Sequence, residues 1–154
     1  YYWDSTAAFT HATMPSSTIV NGEWHHYGFM YDGNGATDAD KLLGVWDGTQ
    51  QTLTFTGTIP AASPDAGTNP LRLGRGFANG DIFGQWVIAH ARVWTATLTL
   101  AEMQNEMRST YPHRTANLAL WVPGDDGASA IDYSVTRATP TVTGAVQTTI
   151  SPPF

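Results

Sequence analysis

Carboxylates that could form a catalytic pair are scarce. The glutamates of the chain are Glu23, Glu102 and Glu106. Glycoside hydrolysis needs two carboxylates that flank the scissile bond, and the string glutamate-x-aspartate-x-x-glutamate that some hydrolases use for this purpose does not occur. Glu102 and Glu106 have helical spacing, which indicates a solvated helix face.

The histidines do not have the spacing of a metal site or a triad. His25 and His26 are adjacent, and neighbouring strand residues point to opposite faces, so both cannot bind one ion. We expect one of them to be a half-buried sheet residue that bonds a neighbouring backbone group. His11, His90 and His113 have no carboxylate or second histidine at ligand spacing, and no Gly-x-Ser-x-Gly elbow marks a nucleophile. The sequence therefore predicts a protein that is not an enzyme.

Two polar loops contain paired aspartates. Asp38 and Asp40 lie two residues apart, and Asp125 and Asp126 are adjacent between glycines. Calcium takes several oxygen ligands from such loops, although the spacing is not that of an EF-hand. Aspartate and glycine are also ordinary turn residues, so we predict no metal or cofactor, with calcium at these four residues as the alternative.

Tryptophan, histidine and arginine share one face of the predicted strand 84–94. Most aromatic residues should be core, because burial of each contributes about 2–3 kcal/mol. Trp86 and Trp94 are the best exposed candidates. We expect a ligand or partner site here, either a glycan or protein contact or a packed interface between subunits. Its residues are Trp86, His90, Arg92 and Trp94.

Alternating residues and turn signals define the first half of the predicted fold. Residues 18–31 should form a strand, 34–40 an exposed loop, and 41–46 a second strand. Asp47-Gly48 is a strong hairpin signal and should lead into a strand over 50–55. A long rim loop over 56–69 then precedes a strand over 71–74.

One helix is predicted between the strands of the second half. Thr99 and Glu102 have capping-box spacing, and Leu98 should staple onto Met103. Leu100, Met103 and Met107 form the expected buried stripe, and Pro112 ends the helix near Arg108. Further strands are expected at 84–94, 118–122, 131–133 and 141–143. The result is one all-β domain over residues 1–154: an antiparallel β-sandwich or jelly roll with one short helix.

Composition restricts the partners. The net charge is −6 and Lys41 is the single lysine, so no basic stripe could neutralise a nucleic-acid backbone. No apolar run approaches the roughly 20 residues of a membrane helix, which predicts no membrane insertion. The chain lacks cysteine, which excludes disulfides and thiolate zinc sites.

Five blocks of the sequence resemble, in order, the laminin-G-like domains of the concanavalin A-like superfamily. The first is Gly22-Glu23-Trp24-His25-His26 followed by Tyr31-Asp32-Gly33, and the second is Val45-Trp46-Asp47-Gly48. The others are residues 71–75, 84–94 and 98–107. The resemblance implies a concanavalin A-like jelly roll.

The end of the chain departs from that pattern. Residues 117–145 resemble the segment that often opens such domains, and few residues precede the Trp24 strand. We expect either the C-terminal part of a longer protein, which Tyr1 in place of methionine favours, or a sandwich completed by rearrangement or by a neighbouring subunit. With its acidic turn, Asp132-Tyr133-Ser134 and the Pro152-Pro153 ending, this third is similar to laminin-G-like domains of tailed-phage structural proteins.

The resemblance implies a non-enzymatic virion structural or decoration module. Such a module would sit on the virion surface, be oligomeric and attach to other protein subunits, with possible adhesion to cell-surface glycans. The alternative is a carbohydrate-binding, lectin-like module of a secreted or cell-surface protein, and therefore extracellular. Fold-level analogy supports both, since one sandwich fold serves many tasks.

Overall fold

The computed structural model describes residues 11–15, 22–62, 73, 87–124 and 130–141. The chain divides into two compact units. Unit 1 comprises Tyr1–Asp65 with Thr97–Arg108, and unit 2 comprises Ala66–Ala96 with Ser109–Phe154. The prediction of a single domain over residues 1–154 stays a prediction.

A three-stranded antiparallel sheet is the centre of unit 1. It contains β2 (Tyr27–Tyr31), β3 (Leu42–Trp46) and β4 (Thr49–Gln51), in that order. Asp47 and Gly48 join β3 to β4 with φ angles of 47° and 74°. Two successive positive φ angles are those of a type I′ turn, which matches the twist of the flanking strands. The predicted Asp-Gly hairpin is confirmed.

The strand predicted over 50–55 is two strands with different partners. The chain leaves β4 after Gln51 and resumes as β5 (Thr54–Thr56), which pairs antiparallel with β1 (His11–Thr13). Gly44 of β3 is buried, and a Cβ there would lie 2.9 Å from both Leu53 Cδ2 and Met14 Sδ. Side chains from the ends of β1 and β5 therefore cover this part of β3.

Two predictions near β2 are wrong. Described residues 22–26 are not strand, and β2 begins at Tyr27. The predicted loop over 34–40 ends in a one-turn helix, α1 (Asp38–Lys41), capped by Thr37. Thr37 and Asp40 form a capping box in which aspartate takes the place of glutamate, and this box stabilises the turn.

The predicted helix is confirmed as α2 (Leu100–Met107), with Arg108 as its C-cap. Thr99 and Glu102 form the capping box, and Leu98 and Met103 are both buried. Gly28 of β2 lies so close that a Cβ there would be 2.7 Å from Met103 Sδ. The helix thus packs on the face of the sheet opposite Tyr27 and Phe29, while Leu100 and Met107 of the predicted stripe are only half-buried.

Unit 2 contains an antiparallel pair, β6 (Ala91–Trp94) and β7 (Leu118–Val122), with a register irregularity between Val93 and Trp94. β7 matches the predicted strand. The strand predicted over 84–94 begins only at Ala91 in the described part, because His90 has a φ of 54°, outside the β region. Residues 131–133 are not a strand, and of 141–143 only Thr141 is described, without strand structure.

Strands predominate in the described residues, 28% against 12% helix, and all their sheets are antiparallel. This confirms the all-β prediction at that level, and the described part of the chain contains two short helices where one was predicted. Val45 and Ile59 are fully buried in unit 1, and burial of each contributes about 1.5–3 kcal/mol. The predicted strand over 71–74 lies outside the described residues, except for Leu73, which is exposed.

Candidate functional site

An aromatic groove lies beside β7 in unit 2. Its volume is about 270 Å³. Its walls come from β7, the segment after α2 and the segment after Ala130. The lining residues are Tyr111, Pro112, Thr115, Leu118, Trp121, Tyr133, Ser134 and Val135.

Two tyrosine rings contact the ring of Trp121. The centroid of Tyr111 lies 5.6 Å from that of Trp121 at an interplanar angle of 64°, and the centroid of Tyr133 lies 5.7 Å away at 53°. Tyr111 is 69% exposed and Tyr133 is 41% exposed. Such tilted arrangements are favourable ring contacts, and they leave both tyrosines accessible to a ligand.

A buried carboxylate fixes the wall that carries Tyr133. Asp132 is 2% exposed. Its Oδ1 accepts hydrogen bonds from the backbone N–H of Trp121 at 2.9 Å and of Ser134 at 2.8 Å. Its Oδ2 accepts from the Ala138 N–H at 2.8 Å and lies 2.9 Å from Ser134 Oγ. Burial alone would raise the pKa of Asp132, but the bonds from Trp121, Ser134 and Ala138 outweigh it, so the pKa is lowered.

The wall that carries Tyr111 is held by two residues of β6, both predicted from the sequence as site residues. The Arg92 guanidinium donates to the carbonyl of Ser109, and Trp94 Nε1 donates to the carbonyl of Arg114 at 2.7 Å. These two bonds flank Tyr111 and Pro112 on the segment between them. Arg92 is also the register partner of Trp121, so the two side chains project from the same face of the β6–β7 pair.

His90, Arg92 and Trp94 of the predicted site thus do not line the groove. Arg92 and Trp94 are half-buried, as is His90, which precedes β6 and is not part of its alternation. Trp86, the fourth predicted residue, lies outside the described residues. A direct role of these four residues in binding stays a prediction.

The groove is apolar with few polar groups. None of its lining side chains is charged. The Ser134 hydroxyl is used internally, because it lies within hydrogen-bonding distance of Asp132 and of the Ala119 carbonyl, at 3.1 Å. Trp121 Nε1 is buried and has no hydrogen-bond partner. An unsatisfied buried donor costs about 1–3 kcal/mol, and a ligand acceptor that reached this N–H would recover that cost.

The acidic residues have structural partners. Asp38 accepts from the Ile59 N–H at 2.9 Å, and Asp40 accepts from the Thr37 hydroxyl at 2.7 Å. The Thr37 hydroxyl and backbone N–H lower the pKa of Asp40. Among the described residues, no group of three or more acidic or histidine side chains could hold a metal ion. Asp125 and Asp126 lie outside those residues, and the calcium alternative stays a prediction.

The interpretation of Glu102 and Glu106 as a solvated helix face is wrong. Glu102 belongs to the capping box, and its carboxylate accepts from the Thr99 N–H at 2.7 Å. Glu106 is 3% exposed. It follows Met103 by three residues and therefore lies on the same, buried face of α2.

The histidine pair differs in detail from expectation. His25 is half-buried, but its Nδ1 contacts the carboxylate of Asp47 at 2.7 Å and not a backbone group. The His26 backbone N–H donates to the same carboxylate at 2.8 Å. Both residues therefore help to hold the β3–β4 turn.

The residue pattern of a single strand does not reveal the groove, because the walls of the groove come from three segments. The sequence shows only that polar Asp132 and Ser134 alternate with apolar Tyr133 and Val135. In the structure the two polar residues are buried and the two apolar residues are exposed. Exposed apolar residues next to buried polar ones are the reverse of the usual pattern. This reversal indicates that the exposed apolar residues form a binding surface.

No described helix is long and apolar enough to cross a membrane. Comparison of the chain with protein-family models, with curated proteins and with solved structures finds no match. The resemblance to laminin-G-like domains is therefore a hypothesis that depends on the sequence blocks alone.

Proposed function

We propose that this chain is a non-enzymatic binding module and that the aromatic groove of unit 2 binds a neutral sugar ring. The observation that carries the proposal is that the rings of Tyr111 and Tyr133 both contact the ring of Trp121 while both tyrosines are exposed. The C–H face of a pyranose is apolar and flat, so aromatic faces are its natural contacts. We further propose that the complete fold is a β-sandwich of the concanavalin A-like kind.

The lining chemistry supports an uncharged ligand. No charged side chain lines the groove, and the net charge of −6 disfavours acidic glycans over long range. The volume of about 270 Å³ lies just below the usual range of ligand pockets, roughly 300–1,000 Å³. A single ring therefore fits better than a large cofactor.

An NMR titration with neutral hexoses and their disaccharides tests the proposal. Amide and indole resonances of the groove should shift with a dissociation constant in the millimolar range, about −4 kcal/mol. Trp121→Ala should abolish these shifts. Tyr27→Ala, which removes an exposed aromatic residue from unit 1, is the matched control and should bind normally. Unchanged groove resonances at saturating sugar would refute the proposal.

A second candidate function is attachment to other protein subunits, as in a virion structural or decoration module. It is favoured by an aromatic patch on β2 and β3, formed by Tyr27, Phe29 and Trp46. Tyr27 and Phe29 are 54% and 40% exposed, and their ring centroids are 4.8 Å apart. Exposed aromatic residues are common anchors of protein interfaces.

Sedimentation of the isolated chain tests this second candidate. The wild type should self-associate as its concentration rises, and the double variant Tyr27→Ser, Phe29→Ser should remain monomeric. Trp121→Ala serves as the control and should associate like the wild type. A wild-type chain that stays monomeric throughout would count against attachment through this patch.

A further inference from the structure

Asp132 occupies an unusual place at the edge of β7. The backbone N–H of Trp121 donates to Asp132 Oδ1 at 2.9 Å, and the carbonyl of Trp121 accepts from the Tyr133 N–H at 2.8 Å. In an antiparallel ladder both groups would meet the backbone of a neighbouring strand. Here a side-chain carboxylate stands in for one of the backbone carbonyls.

The same carboxylate closes the segment that follows. Through its two oxygens it accepts from the Ser134 and Ala138 backbone N–H groups, each at 2.8 Å. Asp132 itself does not line the groove. It nevertheless joins the backbone of Trp121 to the segment that carries Tyr133, and the rings of these two residues are in tilted contact.

We propose that Asp132 is a positioning residue of the groove, whose carboxylate sets the placement of the Tyr133 ring against Trp121 and thereby the affinity for the ligand. This inference rests on the proposed sugar-binding function. Four hydrogen-bonding groups converge on one buried side chain, so the distance between the two walls has little freedom. The affinity for the ligand increases because the rings are already in position before binding, so binding does not have to order them.

Asp132→Asn is the sharpest test. The amide keeps the size of the side chain and one oxygen, but its NH₂ group would place a donor against the Ala138 N–H. The predicted result is a folded protein whose affinity for the bound hexose is reduced roughly tenfold. The nuclear Overhauser effect between the Trp121 and Tyr133 rings should weaken, while those across β6 and β7 remain. Asp40→Asn, which alters a capping carboxylate in unit 1, is the control and should bind like the wild type.

The outcomes separate this inference from the proposed function. If the wild type binds no sugar, the proposed function fails. The positioning role is then still tested by the nuclear Overhauser effect between the Trp121 and Tyr133 rings. If Asp132→Asn keeps that effect, or binds sugar as the wild type does, the positioning role is refuted. If the variant fails to fold, a pH titration of the wild type by NMR tests the inference instead. The amide shifts of Trp121 and Ala138 should change together with protonation of the Asp132 carboxylate. Amide shifts that do not change with this protonation would overturn the inference.

Discussion

The carboxylate of Asp47 lies 2.7 Å from Nδ1 of His25. Asp47 is also the first central residue of the β3–β4 turn, with a φ of 47°. One side chain therefore satisfies two demands: its backbone adopts a left-handed conformation that aspartate tolerates better than most residues, and its carboxylate holds residues 25 and 26 against the turn.

Substitution of Asp47 should separate these two demands. Asp47→Asn keeps the tolerated backbone conformation and one acceptor, so it should lower the free energy of unfolding by less than about 1 kcal/mol. Asp47→Ala loses the acceptors and strains the turn, and should cost roughly 2–3 kcal/mol. Urea denaturation of both variants checks this. Equal stability of the two variants would show that the retained acceptor and the turn preference of asparagine are unimportant.

Two glycines of unit 1 should respond differently to alanine. At Gly28 a Cβ would meet the flexible end of Met103, with Sδ at 2.7 Å, so the side chain can move aside and the cost should be about 1–2 kcal/mol. At Gly35 a Cβ would lie 2.5 Å from the Asp40 carbonyl carbon and 2.6 Å from the Lys41 nitrogen, and backbone cannot move aside. Thermal melts should show the larger loss for Gly35→Ala. The reverse order would mean that the loop before α1 is easily deformed.

The capping box of α2 should be measurable on its own. The Thr99 hydroxyl accepts from the Glu102 N–H at 3.2 Å, and loss of such a cap typically costs about 1 kcal/mol. Thr99→Ala should therefore lower the stability by that amount, whereas Thr99→Ser, which keeps the oxygen, should lower it little. Chemical denaturation of the two variants compares them directly. A destabilised Thr99→Ser would indicate that the methyl group and not the cap matters.

Local rules predicted those elements whose stabilising contacts lie close in sequence. The Asp47-Gly48 hairpin and α2 with its Thr99 and Glu102 box depend on neighbours within a few residues, and both were found. The same rule could have predicted α1, because Thr37 and Asp40 have equivalent spacing. The prediction of a loop over 34–40 differs from this helix because aspartate and glycine are also ordinary turn residues.

Contacts distant in sequence decide the features that the sequence did not predict. Alternation over 84–94 predicted one continuous strand, but His90 has a φ of 54°, outside the β region. The pattern of apolar residues does not predict the backbone angle of a single residue. The groove depends on the meeting of Tyr111, Trp121 and Tyr133 from separate segments. The sequence around Trp121 predicts a core residue, and nothing near it indicates that Tyr111 and Tyr133 lie next to its ring.

Acid should weaken unit 2 through Asp132. The pKa of this carboxyl is lowered in the folded chain, so the folded state binds its proton less readily than the unfolded state. Its stabilising contribution is therefore present above the unfolded pKa, about 3.9 for aspartate, and is lost as the pH falls through the lower folded value. The free energy of unfolding should decline below about pH 4, and Asp132→Asn should show a smaller decline over the same range. Denaturation at a series of pH values and fixed ionic strength measures this decline, and Asp40→Asn serves as a second reference. Identical pH profiles for the wild type and Asp132→Asn would contradict the prediction. They would mean that the hydrogen bonds to Asp132 contribute no stability that depends on its charge.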